Sequence, residues 1–126
     1  MILVDTSVWI DHLRKGVSAL AAALESGQVL IHPFVVGELA CGSLGAARRE
    51  ILALLQELPA APVASDEEAV GFIETHQLSG RGIGYLDVHL LASVALAGDA
   101  HIWTRDRRLA AMAQSLSMSW NAEEKR

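Results

Sequence analysis

Cysteine is nearly absent. The chain of 126 residues has one, Cys41, so no internal disulfide can form, and Cys41 itself reads as a small buried hydrophobe. Lysine is almost as scarce, with only Lys15 and Lys125. The formal net charge of −5 counts against a nucleic-acid binder that works through a broad basic surface. No apolar run approaches the roughly 18–20 residues of a membrane span. Met1-Ile-Leu-Val4 runs straight into Asp5 with no basic segment before it, so no secretory leader is expected. Internal repeats and low-complexity segments are also missing. What is left is a single domain over residues 1–126, of a size that buries a core without staples, in a reducing cytoplasm.

Apolar residues are in excess instead, at 52%, and many are Ala and Leu, which favours helix. Ile2 to Val4 reads as a short buried strand ending at Asp5. Thr6 or Ser7 is placed to cap a helix that runs to about Lys15 and stops at Gly16. Ser18 to Glu25 is a second helix, Val29 to Ile31 a strand, and Pro33 opens the helix carrying Glu38. Ile51, Leu54, Leu55 and Leu58 mark an amphipathic helix over about 46–58. A short strand is expected near Val63, then a helix from Ser65-Asp-Glu-Glu68 to about Leu78. Gly80, Gly82 and Gly84 mark a loop before a helix over about 85–97. His101 to Trp103 is a strand, Arg107 to Ser115 a helix, Met118 to Trp120 a possible last strand, and 121–126 a polar tail. Short apolar strands alternating with helices predict an α/β fold with a parallel sheet covered by helices.

Four acids sit in or at the end of apolar segments: Asp5, Glu38, Asp87 and Asp106. A carboxylate in such surroundings either neutralises itself or finds a cation. In open parallel sheets, ligands bind beyond the carboxyl ends of the strands. Asp5 closes the first strand, and Thr104 with Asp106 closes the strand at 101–103. Glu38 and Asp87 reach the same edge from helices. Hard oxygen donors without a His/Cys cluster favour Mg²⁺ or Mn²⁺ over zinc, and that chemistry suits phosphodiester hydrolysis. Two such cations would offset most of the net negative charge where a phosphate would arrive, and Arg81, Arg105, Arg107 and Arg108 supply further local positive charge.

Each acid also has a plainer reading. Asp5 and Asp106 suit helix caps, Glu38 a surface glutamate, and Asp87 a first-turn charge. Arg48 and Arg49 read equally well as a solvated face, Asp11 and Asp99 as ordinary exposed acids, and His89 as a packing or hydrogen-bonding residue rather than a ligand. A phosphoacceptor receiver domain would need a late strand-end Lys, and a haloacid-dehalogenase phosphatase would need Asp-x-Asp where Ser7 stands.

Taken together, Val4-Asp-Thr-Ser-Val-Trp-Ile10, Gly37-Glu-Leu39, Gly84-Tyr-Leu-Asp-Val-His-Leu-Leu-Ala-Ser93 and Trp103-Thr-Arg-Asp-Arg-Arg-Leu109 resemble the PIN domain, specifically its VapC toxin branch. The resemblance covers essentially the whole chain and implies a three-layer α/β/α sandwich and Mg²⁺- or Mn²⁺-dependent cleavage of RNA such as tRNA or rRNA. It maps the family's acidic quartet onto Asp5, Glu38, Asp87 and Asp106, with Thr6, Ser7 and Thr104 in support. It also implies a homodimer, a VapB-like antitoxin in a toxin–antitoxin hetero-oligomer, and DNA contacts through the antitoxin alone, with no membrane partner. The alternatives within the family are a PIN ribonuclease of RNA processing or decay and a catalytically silent interaction module.

Overall fold

The computed structural model describes residues 1–121; apart from Asn121, the polar tail lies outside the described residues. The chain opens with Ile2–Val4 (β1), buried at all three positions. Successive side chains of a strand point to opposite faces, so burial of every residue means that both faces are covered. β1 is the centre of a parallel sheet, flanked by Val29–Leu30 (β2) and His101–Trp103 (β3). Single parallel pairings extend it on both sides, Ile31 with Ala60 and Ile102 with Ser119. The last strand expected at Met118 to Trp120 is thus present as one pairing. The strand expected near Val63 is instead a pairing at Ala60, and Val63 is 55% exposed. A lone β-branched residue just after Pro62 had no burial to hold it extended.

The helices are Thr6–Lys15 (α1), Ser18–Glu25 (α2), Pro33–Ala40 (α3), Arg48–Gln56 (α4), Asp66–His76 (α5), Tyr85–Ala97 (α6) and Arg107–Ser115 (α7). Their ends follow local chemistry. Gly16 takes a positive φ of 80° and returns its N–H to His12 O, stopping α1. Ser65 and Glu68 form a full capping box at α5. Pro33 occupies the first turn of α3, and His32 caps it, with Nδ1 accepting the Phe34 N–H at 3.0 Å. Arg48 closes the other end of α3 by donating to Ala40 O at 2.6 Å and Gly42 O at 3.2 Å. The solvated-face reading of Arg48 therefore gives way to a C-terminal clamp.

Two further expectations fail. Neither Thr6 nor Ser7 caps α1: Asp5 holds the cap position, with no side-chain cap bond. Cys41 is exposed, because α3 ends just before it and its position faces away from Val35 and Leu39, the residues α3 buries. Among the described residues, no helix is long and apolar enough to cross a membrane.

Candidate active site

The fold delivers four carboxylates to one neighbourhood, with graded burial. Asp5 is 6% exposed, Asp87 is half-buried, and Glu38 and Asp106 are exposed. An apolar local sequence therefore signalled burial correctly for the first and only in part for the others. Asp5 still belongs to the sheet through its backbone: its N–H donates to Trp103 O at 2.9 Å, while its carbonyl accepts from Val8 and Trp9 to start α1. That double duty pins its side chain at the strand-to-helix switch.

Two hydroxyls hold the Asp5 carboxylate. Thr104 Oγ1 donates to Oδ2 at 2.7 Å and Ser7 Oγ donates to the same oxygen at 3.0 Å. Each hydroxyl also accepts a backbone N–H, Asp106 N to Thr104 at 3.0 Å and Arg105 N to Ser7 at 2.9 Å. The ends of β1 and β3 are thereby stitched into one corner. Asp106 sits at the N-cap of α7, and its Oδ1 accepts from Leu109 N at 3.0 Å. Its capping reading and its place beside the other acids are both realised. Glu38 is held by Thr6, whose Oγ1 donates to Oε1 at 2.5 Å.

Asp87 differs. Among the described residues no hydrogen-bond donor reaches its carboxylate and no Lys or Arg pairs with any of the four acids. Burial pushes its pKa up to about 6, and the charges of Asp5, Asp106 and Glu38 add to that rise. Among the described residues, no three His, Cys, Asp or Glu side chains are drawn to coordination spacing; the four acids act on one another across a gap that a cation would have to draw in. The donor set is all carboxylate, which fits a hard divalent ion. His89, two positions beyond Asp87, is committed elsewhere: its Nε2 lies 3.3 Å from Asp66 Oδ1, consistent with a hydrogen-bonding role.

The arginines divide. Arg105 is ion-paired with Asp11, whose side chain is only 29% exposed, so Asp11 is not the ordinary surface acid it resembled. Arg108 donates to Gly82 O at 3.3 Å, tying α7 to the glycine loop. Arg81 and Arg107 are exposed. His32, Asp66 and Tyr85 were not singled out from sequence; only the His-Pro start of α3 signalled the first of them.

Strand ends and helices of a parallel α/β fold thus bring four carboxylates into one neighbourhood, with no Lys or Arg paired to any of them among the described residues. The PIN domain family model matches residues 2–114, and the chain belongs to the PIN domain family. It is 47% identical over 116 residues to Ribonuclease VapC32 of Mycobacterium tuberculosis, in two strains, covering 91% of this chain and 93% of that protein. The crystal structure of FitAcB from Neisseria gonorrhoeae shares the fold, with a TM-score of 0.66 at 20% identity, over 98% of this chain and 99% of that one.

Proposed function

We propose that this chain is the toxin half of a type II toxin–antitoxin pair: a Mg²⁺- or Mn²⁺-dependent endoribonuclease acting on tRNA or rRNA, neutralised by a VapB-like antitoxin. The observation that carries the reading is the gathering of Asp5, Glu38, Asp87 and Asp106 in one neighbourhood, with no cationic side chain paired to any of them among the described residues. The ribonuclease name of a relative 47% identical over nearly the whole chain supports the choice of RNA.

In this reading Asp5, Asp87 and Asp106 hold the cation and Glu38 completes the site. When bound, the divalent ion supplies activation of water and charge neutralisation at the scissile phosphate. Thr104 and Ser7 fix the Asp5 carboxylate in one orientation, and Thr6 does the same for Glu38. Arg81, Arg105, Arg107 and Arg108 offer charge to the RNA backbone, and unpaired nucleotides are the point of attack, because single-stranded loops and ends present splayed bases that a protein can read.

Two apolar grooves support a covering partner. One, of about 210 Å³, runs between α1 and α4 past Trp9, Leu13, Ile51 and Leu54. The other, of about 180 Å³, continues from Leu13 and Ile10 to Glu38. An antitoxin segment laid along both would reach Glu38, at the edge of the acidic site. The active particle is a homodimer in the cytoplasm, and DNA is met only through the antitoxin.

The test is cleavage by the purified chain. Asp5→Asn abolishes Mg²⁺-dependent cleavage of an RNA oligonucleotide and keeps the far-ultraviolet circular dichroism of the fold. A variant that still cuts at the wild-type rate sinks the assignment. Unpartnered expression of the wild type arrests growth and Asp5→Asn relieves it; harmless wild-type expression points instead to an RNA-processing nuclease.

A further inference from the structure

A stack of rings joins two of the helices that carry the acids, and the proposed chemistry uses none of it. His32 is fully buried and His89 is 2% exposed. Both rings lie edge-on to the ring of Phe34, at centroid separations of 5.0 and 4.9 Å, and Tyr85 packs on His89 at 4.7 Å. His32 is the cap of α3, which carries Glu38, and His89 stands near the start of α6, which carries Asp87.

The polar atoms of the stack are used selectively. His32 Nδ1 accepts the Phe34 N–H, so the neutral ring carries its proton on Nε2. Burial, with His89 nearby, lowers the His32 pKa to about 4 and keeps that ring neutral. His89 Nε2 faces Asp66 Oδ1, which also accepts from Tyr85 Oη at 2.8 Å. A carboxylate only accepts, so Nε2 donates and Nδ1 is left a bare acceptor. His32 Nε2 and His89 Nδ1 are both buried without a hydrogen-bond partner. The cap on the Phe34 N–H accounts for one nitrogen of His32, but packing accounts for neither orphaned nitrogen, since hydrocarbon rings would fill the same space without them.

We propose that His32 and His89 are positioning residues of the acidic site: with Phe34 between them and Asp66 as the outer anchor, they set the offset between the Glu38 helix and the Asp87 helix. The inference rests on the metal-dependent reading above. It matters because hard divalent ions, Mg²⁺ above all, demand near-ideal oxygen geometry, and helices that slip apart cannot supply it.

The test is Mn²⁺ binding by the full-length chain without RNA, read from the electron paramagnetic resonance signal of free Mn²⁺. His32→Asn keeps an N-cap acceptor but removes the ring, and His89→Phe fills the space but loses Asp66. Both are expected to bind Mn²⁺ about 10-fold or more weakly, with kcat reduced at saturating Mn²⁺ and KM for an RNA oligonucleotide unchanged. Asp66→Ala, at a side chain 87% exposed, cuts the anchor without touching the core, so its binding shifts the same way even where a histidine variant fails to fold. Wild-type Mn²⁺ affinity in Asp66→Ala and in the folded histidine variants overturns the positioning role alone. A wild-type chain that binds no Mn²⁺ overturns both this role and the metal-dependent reading.

Discussion

At the strand ends, Asp5 is almost buried and one of its oxygens takes two hydroxyl hydrogen bonds, from Thr104 and Ser7. On the helix side, Asp87 is half-buried, receives no hydrogen bond among the described residues, and is pushed up to about 6. Both are carboxylates in one neighbourhood. The difference is in what the backbone can bring to them. Two parallel strands ending side by side place Thr104 beside Asp5 by register, since Val4 pairs with Trp103. A helix start offers Asp87 only its own turn and three repelling neighbours. The strand half is organised in advance, and the helix half waits for positive charge.

Breaking the helix half gives the largest effect, with stability and activity moving in opposite directions. The folded protein holds the Asp87 proton more tightly than the unfolded chain, because about 6 lies above the ordinary 3.8. Stability therefore falls as pH rises between about 4 and 6, and ionised Asp87 is a standing strain at pH 7. Asp87→Asn should abolish cleavage yet stabilise the fold at pH 7, on the order of 1 kcal/mol after allowance for solvent screening. Thermal melts at pH 4 and pH 7 check this, and a variant less stable than wild type at pH 7 contradicts the comparison. In the wild type, Mn²⁺ binding should weaken as pH drops through about 6, where the metal-free Asp87 takes up its proton.

Thr104→Val probes the strand half with little change of shape. It removes a donor from Asp5 and an acceptor from the Asp106 N–H. Activity should fall roughly 10–100-fold, and stability by about 1–3 kcal/mol, since a buried carboxylate loses a partner. A loss of stability without loss of rate would mean that the corner is structural and that Asp5 needs no orientation.

The smallest effect belongs to the partly exposed pair of Arg105 and Asp11. Asp11→Asn should change stability by no more than about 1 kcal/mol and leave kcat unaltered in single-turnover cleavage. A collapse of kcat would extend the organised corner to Asp11.

Much of this was legible because local signals and tertiary outcome agree. Pro33 began a helix, Gly16 ended one, and Ser65 with Glu68 closed a capping box, all through contacts within a few residues. The errors share a cause. Cys41, Val63, Asp11 and Arg48 each depended on a partner distant in the chain or on where an element happened to stop. Thr6 and Ser7 carried a capping signal that longer-range bonds to Glu38 and Asp5 outcompeted.

By itself the sequence determined most of the elements, their order and the choice of the four acids, because periodicity, capping and an acid set in an apolar run are short-range properties of the chain. Only the tertiary structure decided how unequal those acids are. Burial and hydrogen-bond supply depend on which strands pair and which helices meet, so it took the fold to hold Asp5, isolate Asp87, and lodge His32 and His89 between the two helices.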